Sequence, residues 1–249
     1  MQPRSHVMNC LRILVADDHE IVRRGLVSLI KSHPDWEVCA EADNGREAVE
    51  RAKQSKPDVA ILDIGMPVLN GLEATRQILR EHPGVRILIL TITDTDQAVQ
   101  AVLDAGARGF LLKSDAARDL VTAVEALAHN KTFFTARVAD LVLSGYLNKS
   151  SHSSKSDLNL PGLTSREREV VQLLAEGKST KEVACQLNLS VKTAETHRSN
   201  IMRKLGLHSV SELVLYAVRN GIVQVTVGVP YLSAGAVNAV DAGLTGPKL

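Results

Sequence analysis

Short apolar, β-branched runs recur along the first half of the chain, at residues 11–16, 36–42, 58–62, 85–92 and 109–112. Stretches of helical period separate them. Ile21, Val22, Gly25, Leu26, Leu29 and Ile30 fall at i, i+1, i+4, i+5, i+8 and i+9, one stripe of a helix. Leu120, Val121, Val124, Leu127 and Ala128 repeat the pattern after the last run. Strict alternation of strand and helix predicts five parallel strands joined by right-handed crossovers, with helices on both faces of the sheet. In such α/β folds the ligand site lies at the carboxyl ends of the strands, so chemistry is expected just after each apolar run.

The pattern changes past residue 131. Residues 132–147 carry a period compatible with one more short amphipathic helix, and residues 148–159 are polar and Ser-rich, the composition of a flexible linker. Beyond Pro161 no strand signal recurs. Thr164…Glu167, Ser179…Glu182 and Ser209…Glu212 have the S/T-x-x-E spacing of capping boxes, and Ser190 stands where it would cap a fourth helix, with Thr193 in place of the acid. Gly177, Gly206 and Gly221 stand where helices should end in left-handed caps. Helices are therefore expected at about 165–176, 180–187, 191–205 and 210–220. Only Asn188-Leu189-Ser190 joins the middle pair, the tight connection of a helix-turn-helix. Residues 220–240 carry no charge, but Gly228, Pro230, Gly235, Gln224 and Asn238 interrupt them, which argues for a loosely ordered tail over a membrane span.

Charge separates the halves further. The 249 residues carry 29 basic and 28 acidic side chains. Residues 1–131 hold 16 Lys and Arg against 19 Asp and Glu, whereas residues 161–222 hold 9 against 6, so an acidic module precedes a basic one with different partners. Aromatic residues are 3% of the chain, too few for a platform that stacks unpaired bases. Cys10, Cys39 and Cys185 are widely spaced with no CxxC, against a disulfide framework or zinc knuckle. No secretory signal pattern is present, and a reducing cytoplasm is the expected compartment.

Asp17 and Asp18 end the first apolar run and Asp63 ends the third. In a five-stranded parallel sheet these tips are neighbours, so three carboxylates converge. Such a cluster is costly without a cation, and oxygen-only ligands select Mg²⁺. Thr91 ends the fourth run and Lys113 follows the fifth, adding a hydroxyl and an ammonium. Taken singly, an Asp after a strand is commonly a helix N-cap and a lone Lys a solvated surface group. The five together, from four strands, suit phosphoryl transfer to a carboxylate.

Val-Ala-Asp17-Asp18-His, Leu-Asp63-Ile-Gly-Met-Pro67-x-x-Asn-Gly71, Leu-Thr91 and Gly-Phe110-Leu-Leu-Lys113 resemble the receiver domain of bacterial response regulators over residues 1–131. The resemblance implies a flavodoxin-like, doubly wound fold in which Asp63 accepts a phosphoryl group from a sensor histidine kinase. It further implies that Asp18, Asp63 and the Gly65 carbonyl bind Mg²⁺ directly and Asp17 through water, and that Lys113 pairs with the phosphoryl oxygens. Thr91 would swing towards the phosphate and Phe110 would rotate inward.

In the second half, Ala194, His197, Ile201 and Leu205 share one face of the expected 191–205 helix, to pack on Val183, Leu187, Leu173 and Leu174. Lys192, Glu195, Thr196, Ser199 and Arg203 lie opposite. A short helix with a polar, partly basic outer face fits the DNA major groove. Lys178, Lys181, Lys192, Arg198 and Arg203 are placed to meet phosphates, while Glu195, Thr196 and Ser199 are placed for base edges, with Thr193 beside them. Residues 163–221 resemble the LuxR-type DNA-binding domain, which together with a receiver gives the NarL/FixJ class of regulators. The expected division is receiver 1–131, short helix and linker 132–160, helix-turn-helix module 161–222 and tail 223–249.

The expected function is that of a DNA-binding transcriptional regulator rather than an enzyme. Phosphorylation would repack the face built by the fourth helix, fifth strand and fifth helix, and would free or dimerise the DNA-binding module. Leu213, Val214, Ala217 and Val218 offer a stripe for a homodimer on double-stranded DNA. Two alternatives remain open. An aspartyl-phosphate phosphatase resembling the haloacid dehalogenase type needs a second Asp where this chain has Gly65, and an atypical receiver would bind DNA constitutively.

Overall fold

The computed structural model describes residues 10–92, 95–134 and 163–223. The first part runs β1 (Leu11–Ala16), α1 (Glu20–Lys31), β2 (Trp36–Ala42), α2 (Gly45–Ser55), β3 (Val59–Asp63), α3 (Gly71–Glu81), β4 (Arg86–Thr91), α4 (Asp96–Ala105), β5 (Gly109–Leu112) and α5 (Ala116–Ala128). All strand pairs are parallel, in the order β2-β1-β3-β4-β5. Alternation along the strands sorts their side chains onto two cores. Leu14, Leu62, Ile87, Ile89 and Phe110 pack beneath α2, α3 and α4, while Ile13, Val15, Ile61, Leu88, Leu90 and Leu111 pack beneath α1 and α5. Every residue of the central strand β3 is buried, which explains why its sequence reads as a continuous apolar run rather than an alternating one.

The helix expected at 132–147 does not begin as expected. Phe133 extends along the edge of β5, donating from its amide to the Arg108 carbonyl (3.0 Å) and accepting from the Phe110 amide (2.9 Å). The edge of β5 offers unpaired backbone groups, and satisfying them outweighs helical period here. The remainder of that expected helix, the Ser-rich linker and the tail from residue 224 lie outside the described residues.

The second part comprises α6 (Ser165–Ala175), α7 (Thr180–Gln186), α8 (Val191–Leu205) and α9 (Val210–Arg219) around a core of Val170, Leu173, Leu174, Val183, Leu187, Ala194, Ile201, Leu205, Leu213 and Ala217. Thr164 and Ser179 form complete reciprocal capping boxes. Ser209 caps α9 from one side only, because the Glu212 carboxylate accepts from the His208 amide instead of the Ser209 amide. Ser190 accepts from the Thr193 amide. Gly177, Gly206 and Gly221 have φ of +84°, +66° and +64°, the left-handed ends expected of them. No helix among the described residues is long and apolar enough to cross a membrane.

Candidate functional site

Parallel pairing sets the strand tips side by side: Ala16 is in register with Leu62, Asp63 with Leu90, and Thr91 with Leu112. The residues that end or follow β1, β3, β4 and β5 therefore meet at one edge. Asp17, Asp18 and Asp63, joined by His19, each offer a ligand atom within 4.8 Å of the others. Lys113, on the short 3₁₀ turn after β5, brings Nζ to 2.8 Å from Asp17 Oδ2 and 2.9 Å from Asp63 Oδ2. Asp17, Asp63 and Thr91 are buried, whereas Asp18 and His19 face solvent. Asp17 is held from the backbone as well: its Oδ1 accepts from the His19 amide (2.9 Å), and its carbonyl accepts from the Arg23 guanidinium (2.6 Å).

Burial is the main cause that lifts the Asp63 pKa above the ordinary carboxylate value; the Lys113 ammonium opposes the rise and the Asp17 charge adds to it. Burial works against the Lys113 ammonium, yet the charge of Asp63 and the contacts with Asp17 and Asp63 outweigh it and hold its pKa above the ordinary lysine value. With Asp18 beside His19, one ammonium thus serves the other two of the three carboxylates. Asp17 Oδ2 is buried with only that ionic contact and no well-aligned hydrogen bond. Three converging carboxylates, of which Asp17 and Asp63 share the one ammonium, fit a hard divalent cation of the Mg²⁺ kind.

Sequence reasoning passed over two residues here. His19 Nδ1 lies 2.8 Å from Asp18 Oδ1, and its place directly after the Asp pair was the available signal. Arg23, one helical turn into α1, had none. Phe110 is already fully buried, packed with the core under α3 and α4, so from this state it has no inward rotation left to make. Gly65 and Met66 follow Asp63, and the loop closes where the Gly71 amide donates to the Ile64 carbonyl (3.0 Å). A Cβ on Gly71 would fall on the Asp63 carbonyl oxygen, so this close approach requires glycine.

The second candidate surface is the outer face of α8. Ala194, Ile201 and Leu205 anchor the helix in the core, while Lys192, Thr193, Glu195, Thr196, Ser199 and Arg203 are exposed. His197, expected among the packed residues, is only half-buried. Thr193 doubles as part of the α8 cap, its Oγ1 2.8 Å from Ser190 Oγ. Lys181 is exposed, Lys178 half-exposed, and Arg198 reaches back to Thr180 Oγ1 at 3.4 Å. The dimer stripe needs correction: Leu213 and Ala217 face the module's own core, being 1% and 0% exposed. The outward apolar positions of α9 are Val210, Val214, Leu215 and Val218, set by the same period one step around the helix.

A carboxylate cleft at the carboxyl edge of a doubly wound sheet, carried with a helix-turn-helix module, defines a signalling regulator with a sensing part and a groove-reading part. Residues 13–125 match the response regulator receiver domain, and residues 161–217 match the luxR family of bacterial regulatory proteins. The chain is 38% identical to the transcriptional regulatory protein LiaR of Bacillus subtilis over 86% of its own length and 99% of the relative's. It is 36% identical to the oxygen regulatory protein NreC of Staphylococcus epidermidis, over 86% of its length and all of that protein. Among solved structures it resembles RcsB of Salmonella enterica serovar Typhimurium, bound to a promoter in the presence of the phosphomimetic BeF3⁻ (TM-score 0.54, 27% identity, covering 84% of this chain and 98% of that one). The chain belongs to the NarL/FixJ-class two-component response regulators, which pair a receiver domain with a luxR-family domain.

Proposed function

We propose that this regulator takes a phosphoryl group onto Asp63 from a sensor histidine kinase and thereby controls its binding, as a homodimer, to double-stranded DNA. The observation that carries the reading is the Lys113 ammonium shared between Asp17 and Asp63. An Asp63 oxygen attacks phosphorus, the bond from phosphorus to the donor atom breaks, and the donor leaves with that electron pair. Lys113 Nζ stands where charge on the transferring oxygens must be neutralised. Asp17, Asp18, Asp63 and the Gly65 carbonyl would hold Mg²⁺, which supplies further charge neutralisation at the phosphoryl oxygens. The Thr91 hydroxyl, at the tip of the neighbouring strand, is the group that responds to the new phosphate; Phe110, already buried, would follow by repacking within the core rather than by turning inward.

On the DNA side, Glu195, Thr196 and Ser199 read base edges while Lys192, Arg203, Lys178 and Lys181 meet phosphates. Arg198 serves the same surface from its seat beside Thr180. Pairing two copies through the outward stripe of α9 sets two recognition helices on half-sites about one helical turn apart. The working units are the receiver to residue 131, the connector 132–160 and the DNA-binding module 161–222, acting in the cytoplasm as a regulator without turnover of a substrate.

Gel-shift titration of promoter DNA with and without acetyl phosphate and Mg²⁺ tests the proposal. Tighter binding after phosphorylation, absent in Asp63→Ala, is expected. Equal affinity in both conditions contradicts phosphorylation-gated binding and favours the constitutive alternative.

A further inference from the structure

The two modules dock in an unexpected place. Helix α6 rests on α3 and on the loop between β3 and α3, next to Asp63. Helix α6 is buried along Glu169–Leu174, more than one face's worth: its apolar side chains fill the module core and its polar ones face the receiver. Glu169 accepts from Arg46 Nη2 (2.9 Å) and Gln77 Nε2 (2.8 Å) of the receiver, and Arg168 Nε donates to the buried Glu73 carboxylate (2.9 Å). These cross-module contacts are side-chain hydrogen bonds and ion pairs.

Gln172 stands at the centre of this contact, 2% exposed. Its Oε1 accepts from the Asn70 amide (2.8 Å) and its Nε2 donates to the Met66 carbonyl (3.1 Å). Between those two anchors the receiver backbone makes a γ-turn: the Leu69 amide donates to the Pro67 carbonyl (2.7 Å) and Val68 sits at φ +67°. That turn is strained for any residue with a Cβ and more so for a β-branched one. A side chain of the DNA-binding module thus pins both flanks of a strained turn whose other end is the Gly65-Met66 segment following Asp63. Gln172 Nε2 also binds the Glu176 carboxylate (2.7 Å), and Glu176 shares with Asp18, Gly65 and Met66 the walls of a cleft of about 160 Å³. The docked module therefore adds an anionic wall beside the place where an anionic phosphodonor must arrive.

We infer that Gln172, with Glu176, is a positioning residue for phosphoryl transfer: lodged on the β3–α3 loop, it holds the phospho-acceptor site in a slow-reacting form until the module undocks. The inference rests on Asp63 being the acceptor. Coupling of this kind is reciprocal, so whatever loosens the docked helix speeds phosphorylation, and phosphorylation loosens the docked helix.

The test measures phosphorylation of the full chain by acetyl phosphate and Mg²⁺. An Asp63 oxygen attacks the phosphorus, the acyl phosphate P–O bond breaks and acetate leaves. Alongside, amide exchange is followed at Leu69 and Asn70. Gln172→Ala is expected to label about 3- to 10-fold faster than the unaltered chain, a range within ordinary allosteric couplings, and to lose protection at Asn70. Gln172→Glu keeps the acceptor for Asn70 but cannot donate to Met66, and should accelerate labelling as the alanine variant does. Glu176→Gln keeps the clamp and removes the charge, and should give a smaller acceleration with Asn70 still protected. Arg46→Ala, on the receiver surface, loosens the docking without touching Gln172 and should also accelerate labelling, which guards against a misfolded Gln172 variant. Labelling at the unaltered rate in Gln172→Ala and Arg46→Ala overturns the inference. Labelling that persists in Asp63→Ala overturns the function proposed above instead, so the two failures are told apart.

Discussion

Replacing Lys113 by methionine removes one positive charge from between two buried carboxylates and keeps the aliphatic stem in place. At an effective dielectric of about 20, unit charges at the observed 2.8 Å attract by roughly 6 kcal/mol before desolvation is counted. Burying the ammonium and the carboxylates offsets much of that, and loss of one member of a buried pair costs about 3–5 kcal/mol net. For a domain of this size such a loss lowers the receiver's melting temperature by roughly 10–20 °C, readable by calorimetry or near-ultraviolet dichroism. The loss should depend on pH with a defined sign. With its pKa raised, Asp63 binds its proton more tightly in the folded protein than in the unfolded chain, where the value is near 3.8. Stability therefore falls as pH rises from 3.8 through the raised folded value; because Lys113 opposes that rise, its loss carries the folded value higher still, and the methionine variant recovers as pH is lowered through this wider window. The Lys113 contribution in the unaltered chain is fully present below the unfolded lysine value of 10.5 and is lost only as pH rises through its higher folded value, so it is undiminished near neutrality. Added Mg²⁺ should restore part of the deficit, about 2.7 kcal/mol at a concentration 100-fold above its Kd. A Lys113→Met variant that melts within about 2 °C of the unaltered chain at neutral pH without Mg²⁺ refutes this electrostatic account.

Gly71→Ala places a methyl group on the Asp63 carbonyl, backbone that cannot step aside cheaply. It should cost about 1–3 kcal/mol or more in urea unfolding and slow phosphorylation by moving the tip of β3. Thr164→Ala removes one half of a complete capping box at the head of α6 and should lower the stability of the second module by about 1 kcal/mol. Lys192→Ala should weaken DNA binding about equally on all sequences and reduce the salt slope of the logarithm of affinity by about 1, whereas Thr196→Ala should alter sequence preference more than the salt slope; salt titrations on two operator variants separate the two.

Much of the fold and of the acidic site was legible because local and global preferences agree. The run ending at Asp63 is apolar throughout since β3 is covered on both faces, and the period after Asp17 gives α1 since Leu26 and Ile30 meet the core of Ile13 and Val15, with Val22 and Leu29 at its margin. Ile21 and Gly25 of the same expected stripe lie exposed, and Val27 takes a buried place instead. Register then places the carboxylates together without further information. Two failures are instructive. Residues 132–134 open the stretch expected as a helix but sit against an open sheet edge, and there the unpaired edge prevails. Leu213 and Ala217 satisfy the same apolar period as Val214 and Val218, and sequence alone does not say which half of a wide stripe its own module covers. The docking of α6 on the receiver was hidden for a different reason. It is made by Gln172, Glu169 and Arg168, polar residues that read as the solvated face of an amphipathic helix. The one trace in the sequence is that Glu169 and Gln172 flank Val170 and Val171 on a helix otherwise apolar at those positions.

Mass spectrometry of the intact chain and its peptides, after incubation with acetyl phosphate and Mg²⁺, addresses the phosphoryl group itself. The account predicts one added phosphoryl group, located on the peptide that contains Asp63, lost in Asp63→Asn and strongly reduced in Lys113→Met. A chain that stays unmodified, or carries its phosphoryl group on another residue, contradicts it.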